Sequence, residues 1–268
     1  MAEHNNLYQY VTYYDFLFDR DVSREVDFIT ALYHHHTGGR LRAVLEIACG
    51  PGYHTRTFAR QGKRAVGLDL NPAMIELAAG KAEAEGLVAT WLRADMRDFR
   101  LDAPVDMAYC MFDGLDALIN NDDLIHHFRT IADNLTPAGL YLIDLSHPRE
   151  CSYTYYKPFV YTAERDGRKV EIRWATNQPK YDLVTNVAYV ELEMYINDHG
   201  QETIIKDSAY ERLMFPQEIR LLAEQSGAMQ LVACYGDFKL DQPLDDSPAS
   251  SRMIIILQKT GVISENVQ

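Results

Sequence analysis

The chain has 268 residues, 47% of them hydrophobic, which is enough apolar material for one packed domain or a domain carrying an insertion. Its formal net charge of -13, with no run of Lys or Arg, sets the average field against a polyphosphate backbone, so a nucleic-acid substrate is not expected. No window approaches the roughly 18 consecutive apolar residues of a membrane span.

The opening MAEHNNLYQY shows no basic stretch followed by an apolar one, and a cytoplasmic location is expected. Residues Leu7 to Phe18 and Ser23 to His34 carry apolar residues at mixed three and four spacings, which predicts two helices, the second capped by Ser23. From Arg42 onward short apolar runs alternate with helical stretches. AVLEIAC, AVGLDL, ATWLRAD, VDMAYCMF and GLYLIDL read as strands, with helices over Thr57 to Gln61, Pro72 to Glu85 and Asp122 to Leu135 between them. Strands separated by helices imply βαβ units and a doubly wound, mostly parallel α/β sheet covered on both faces.

That pattern breaks after His147. Phe159 to Met214 alternates polar and apolar residues, with turn signals at Asp166-Gly167 and at Asn197-Asp198-His199-Gly200, and reads as antiparallel strands. Pro216 then opens a helix closed by Gly227, and MQLVACY and RMIIILQ supply two last strands that complete the sheet from beyond the insertion. The expected organisation is an N-terminal helical lid over 1–40, a Rossmann-like core over 41–148 and 213–260, and a β insertion over 149–212 serving as lid, substrate wall or dimer surface. Cys49, Cys110, Cys151 and Cys234 are scattered without CxxC pairing and are expected to be reduced.

The stretch VLEIACGPGYH, Val44 to His54, ends the first strand on a glycine turn, where a doubly wound sheet binds ligands. A dinucleotide fingerprint needs a third glycine, but His54 and Thr55 follow Gly52, and Glu46 precedes the turn. That carboxylate repels a pyrophosphate and attracts a ligand carrying an ammonium and a sulfonium.

Together ExACGPG, VGLDLNPAMIELA, RADMRDF and VDMAYCMFDGLDAL resemble, in order, the motifs of class I S-adenosylmethionine-dependent methyltransferases across Val44 to Leu145. Ala48 stands where the family usually has Gly. The resemblance implies a seven-stranded Rossmann-like sheet whose last strand is antiparallel, S-adenosyl-L-methionine as cofactor, S-adenosyl-L-homocysteine as product, and a small-molecule acceptor. It also implies roles. Glu46 would meet the methionine ammonium, directly or through water. Gly50 and Gly52 would pass beneath the methionine and ribose, and Asp69 would accept the ribose hydroxyls. Leu70 would lie on the adenine, Asp95 would accept its amino group, and the Met96 N–H would donate to its ring. Met111 and Phe112 would face the sulfur, while Tyr14, of a Tyr14-Asp15 pair, would approach the cofactor. Ala48, Cys49 and Met74 complete the cofactor set.

Methyl transfer needs alignment and exclusion of water more than covalent chemistry, because the sulfonium is already activated. For the acceptor side, His147 is the candidate base and Asp113 a candidate orienting acid, with an ordinary loop histidine and an Asx-turn as the competing readings. Tyr14 is the third candidate. Consecutive His34, His35 and His36 point in different directions on a helix, and no metal site is expected. The acceptor is expected to be an amine or hydroxyl of a metabolite or natural product, and the enzyme is allowed a homodimer. Two rivals remain, another reaction of the same cofactor such as cyclisation releasing methylthioadenosine, and a non-catalytic binding protein on the same fold.

Overall fold

The computed structural model describes residues 7–152 and 155–261. The parallel core is built from β1 (Ala43–Ile47), β2 (Arg64–Asp69), β3 (Thr90–Arg93), β4 (Val105–Cys110) and β5 (Leu135–Ser146). It is completed from the far end of the chain by β12 (Met229–Tyr235) and β13 (Arg252–Lys259). Spatial order is β12-β13-β5-β4-β1-β2-β3, parallel from β3 to β5, with β13 antiparallel to both its neighbours. The chain leaves β1 toward β2 and β3, then returns to β4 on the other side. That reversal opens the crevice at the carboxyl ends of the strands.

Helices cover both faces. They are α1 (Val11–Phe18), α2 (Ser23–Thr37), α3 (Tyr53–Arg60), α4 (Pro72–Ala84), α5 (Asn121–Asp133) and α6 (Pro216–Gln225). All of β1 is buried, which accounts for its unbroken apolar run. The Asn71 side chain caps α4 by accepting from the Ala73 N–H, with Pro72 in the first helical position, and Asn120 caps α5 through the Asp123 N–H. None of the helices over the described residues is long and apolar enough to cross a membrane.

Between β5 and α6 lie the short pair β6 (Cys151–Ser152) and β7 (Tyr155–Tyr156), followed by β8 (Phe159–Arg165), β9 (Arg168–Trp174), β10 (Val187–Asp198) and β11 (Gln201–Arg212). The last four form a separate antiparallel sheet in the order β11-β10-β9-β8. Its turns carry positive φ at Asp166-Gly167 and His199-Gly200, the twist that two-residue hairpins require. One face buries Val170, Ile172, Met194, Ile196 and Ile205 against Leu7 and Phe16, so α1 packs on this sheet. Helix α2 instead packs Phe28, Ile29 and Leu32 on the parallel sheet.

Three local expectations change. Ser23 is the first helical residue rather than the cap, and Asp21 does the capping work by accepting from the Ser23 N–H and hydroxyl. Residues Leu7–Gln9 form a 3-10 turn before α1. Helix α3 starts at Tyr53, four residues earlier than its periodicity suggests, because Gly52 in the left-handed region ends the turn directly onto it. Tyr153 and Thr154, from the tyrosine-rich stretch after β5, lie outside the described residues.

Candidate functional site

The turn after β1 passes through left-handed backbone three times, at Ala48 (φ 53°), Gly50 (φ 50°) and Gly52 (φ 72°). The two glycines serve different needs. A Cβ on Gly50 would meet nothing within 4 Å, so its face is open space at the crevice, whereas one on Gly52 would sit 2.4 Å from the Trp91 ring. Trp91, on β3, also lies over Gly67, and so fills the room that both glycines leave. Cys49 is buried and its N–H donates to the Leu68 carbonyl at 2.9 Å.

Asp69, at the end of β2, accepts from the Gly50 N–H at 2.8 Å on one oxygen and from the Asn71 N–H at 2.9 Å on the other. Burial raises its pKa, and those N–H bonds oppose the rise. The carboxylate keeps capacity for a further donor. Tyr14 of α1 lies beside it, its hydroxyl pushed up by burial and then by the charge of Asp69. Leu70 is 64% exposed just past the end of β2, and Met74 of α4 is buried.

Glu46 is buried at 4% exposure and is held by the first turn of α3. The Thr55 N–H (2.8 Å) and hydroxyl donate to Oε2, and His54 Nδ1–H donates to Oε1 at 3.1 Å. The carboxylate thus satisfies helix N-terminal donors, and its negative charge suits that end of the helix. His54 Nε2, buried beside it, has no hydrogen-bond partner among the described residues.

On the other side of the crevice, β4 is followed by buried Met111, exposed Phe112 and then Asp113, the last two in left-handed backbone at φ 56° and 65°. Asp144 fixes this conformation, accepting the Phe112 N–H at 2.9 Å on its side chain and the Asp113 N–H at 3.1 Å on its carbonyl. Arg252, from β13, donates to Asp144 at 2.7 Å and to Asp113 at 3.3 Å. Asp113 also accepts from the Ser146 N–H and hydroxyl. It is therefore the anchor of this loop, not a free orienting acid.

His147 does not fit the role of base. Its Nε2–H donates to the Asp245 carbonyl at 3.0 Å and its Nδ1 accepts the Arg149 N–H at 3.1 Å, so the one lone pair of the neutral ring is already used. Asp95, after β3, is bridged on both oxygens by the Arg97 guanidinium, at 3.0 and 2.6 Å, and that pairing lowers its pKa. Any amino group reaching Asp95 shares it with Arg97.

Aromatic rings close the mouth between the two sheets. Phe18 lies 4.6 Å from Tyr14, 5.8 Å from Phe112 and 5.1 Å from Tyr161 of β8, centroid to centroid. Phe159 continues the wall and stacks on Trp174 at 5.5 Å. Beneath it the Trp174 indole N–H (2.7 Å) and the Tyr156 hydroxyl (2.5 Å) both donate to Glu211 of β11. Burial pushes Glu211 up to about 7, and Asp116, in the 3-10 turn Gly114–Ala117, is raised by burial and by the charges of Glu211 and Asp113. Arg252 is the cation that offsets them at Asp116. His54, Thr55, Asp116, Tyr161, Glu211 and Arg252 are residues that sequence reasoning missed. Only the Thr55 capping position, three residues past Gly52, had a local signal.

Residues 44–139 match the family model of a methyltransferase domain. Among curated relatives, the dTDP-4-amino-2,3,4,6-tetradeoxy-D-glucose N,N-dimethyltransferase of Saccharopolyspora spinosa is 30% identical over 103 residues, 38% of this chain and 40% of that protein. The alignment therefore spans well under half of the relative's length. Solved structures agree along almost the whole chain. An S-adenosylmethionine-dependent methyltransferase from Clostridium acetobutylicum superimposes with a TM-score of 0.76 at 18% identity, over 96% of this chain and 100% of that one. An amino pentose methyltransferase from Micromonospora echinaspora, solved with S-adenosylmethionine bound, gives 0.71 at 19% identity over the same shares. Coverage that complete takes in the antiparallel sheet. The antiparallel sheet belongs to the shared fold.

Proposed function

We propose that this chain, whose residues 44–139 form a methyltransferase domain on the fold of S-adenosylmethionine-dependent methyltransferases, transfers a methyl group to an amine of a small molecule. The observation that carries the reading is the crevice at Gly50. Open space above that glycine is flanked by an inward carboxylate on β2, Asp69, and an exposed apolar surface, Leu70, a cradle suited to a ribose and a base. Glu46, with a lone pair left on Oε1, lies on the adjoining strand for an ammonium. When bound, S-adenosylmethionine supplies a methyl group on a sulfonium, and S-adenosyl-L-homocysteine remains after transfer.

The chain's own residues align the acceptor and exclude water. Tyr14, Phe18, Phe112 and Tyr161 gather as one aromatic cluster, a surface of the kind that attracts a cation. Burial raises the pKa of Asp116 and of Glu211 near this wall, which makes their ionised forms stronger bases than ordinary carboxylates. An amine must lose a proton before it attacks, and these carboxyls replace His147 as the groups suited to take it. An amino sugar carried on a nucleotide, the acceptor type named for the Saccharopolyspora relative, fits this description. The same reading has no nucleic-acid partner, in keeping with the net charge of -13, and a cytoplasmic location, in keeping with free thiols at Cys49, Cys110 and Cys234. A homodimer through the outer face of the antiparallel sheet, where Tyr189, Ile204 and Tyr210 are exposed, completes it.

The test is product analysis by mass spectrometry with S-adenosylmethionine and a panel of nucleotide-linked amino sugars and their hydroxyl counterparts. S-adenosylhomocysteine together with a methylated amine is the expected outcome. Methylthioadenosine without a methylated acceptor would show a different use of the cofactor, and no binding at all would indicate a scaffold.

A further inference from the structure

We propose that His127, inside α5, is a positioning residue that sets the loop reading the nucleobase, and that it thereby makes the site selective for adenine. The inference rests on the reading above, in which Asp95 and the Met96 N–H meet the base.

The loop from Ala94 to Leu101 contains no helix or extended strand of its own, so its shape must come from its partners. One stripe of α5 and its cap supplies them. Asp123, His127, Thr130 and Asn134 follow at spacings of four, three and four, which places them on one helix face. Asp123 accepts from Arg97 at 3.1 Å, and the Thr130 hydroxyl donates to the Arg97 carbonyl at 2.6 Å. Asn134 donates to the Phe99 carbonyl at 3.1 Å and accepts the Leu101 N–H at 2.7 Å. His127 takes the position nearest the base, its Nδ1 lying 2.8 Å from the Met96 carbonyl.

His127 is also tied to the parallel sheet by the other end of its side chain. Its Nε2 lies 2.8 Å from the Tyr141 hydroxyl on β5, and both side chains are fully buried. The chemistry admits one proton arrangement. A carbonyl only accepts, so Nδ1 carries the hydrogen, and Nε2 then accepts from the tyrosine. Burial, which lowers the pKa of His127 to about 4, keeps the ring in that neutral form at ordinary pH. The Met96 peptide is thus clamped to the sheet through a rigid ring. Because Met96 follows Asp95 directly, the clamp fixes both groups that distinguish a 6-amino purine from a 6-oxo one. An oxo group meets the Asp95 carboxylate as acceptor against acceptor, and its protonated ring nitrogen meets the Met96 N–H as donor against donor.

Two conservative variants separate this role from general support of the fold. In His127→Asn the amide nitrogen can replace Nδ1, whereas in His127→Gln the amide reaches toward Tyr141 and leaves the Met96 carbonyl without its donor. Calorimetry on the full chain compares S-adenosylhomocysteine with S-inosylhomocysteine, and thermal unfolding is recorded alongside. His127→Gln is expected to lower the adenine preference roughly tenfold, and His127→Asn to keep it within about threefold of the wild type. Tyr141→Phe, which cuts only the far bond, is expected to lower Tm while keeping the preference. Equal preferences in the Asn and Gln variants, or a loss in Tyr141→Phe as large as in His127→Gln, would overturn the proposal. A wild-type chain that binds neither nucleoside overturns the cofactor reading beneath it, whereas one that discriminates while its variants match it overturns the role of His127 alone.

Discussion

Glu211 is held by two neutral donors, a tyrosine and an indole, and among the described residues no cation in its hydrogen bonds meets the charge that ionisation would create. Its folded pKa of about 7 therefore lies above the ordinary value of 4.5. The folded chain keeps this proton where the unfolded chain has released it, so the group's contribution to stability is fully present below about pH 4.5 and is lost as pH rises through 7. Glu211→Gln is expected to flatten the fall of Tm between about pH 5 and pH 8, as measured by calorimetry, and an unchanged slope would count against the assignment. The residues legible in the sequence were those whose meaning is local. Glu46, Gly50 and Asp69 belong to short motifs, and the structure brings them to one crevice. Glu211 had no such signal, because Tyr156 and Trp174 reach it from positions 55 and 37 residues away. His147 misled for the same reason, since the carbonyl that occupies it is 98 residues distant.

At the scale of elements, helix α1 shows what periodicity can and cannot say. Apolar spacing predicts a helix near its true place, but nothing in the spacing tells which sheet it covers. The structure seats Phe16 against the antiparallel sheet, with the Arg165 guanidinium 3.7 Å over its ring, while Tyr14 on the same short helix lies beside Asp69 and Asp15 pairs with Lys81 of α4. One element thus joins the antiparallel sheet to the crevice. Phe16→Ala is expected to cost about 3 kcal/mol or more in denaturant unfolding, and to weaken S-adenosylhomocysteine binding as Tyr14 loses its seat. Unchanged binding in a folded variant would mean that α1 serves the fold alone. The hairpins β8–β9 and β10–β11 were readable because alternation and a positive-φ turn are both short-range signals. The start of α3 was not, since it depends on a backbone conformation at Gly52 that no pattern of apolar residues encodes.

At the scale of the molecule, the doubly wound layout was legible from the alternation of strand-length and helix-length runs, and so was the return of the last strands to the sheet. Their order within it was not. β13, the final strand, lies inside the sheet between β5 and β12, and its first residue is Arg252. Vectorial synthesis gives this placement a consequence. When β5 leaves the ribosome, one of its edges has no partner until Arg252 emerges, 106 positions after Ser146. For that interval the nascent chain carries an apolar strand with open hydrogen-bonding groups, a template for pairing with other chains. The crevice half built from β1 to β3 can assemble early, while the half that Arg252 braces waits until β13 has been made. A chain truncated after Ser251 is expected to be cleaved rapidly in limited proteolysis and to aggregate, and a compact, protease-resistant product would show that the sheet closes without its last strand. Birth order thus makes the side of the crevice that Arg252 braces the last part of this sheet to close.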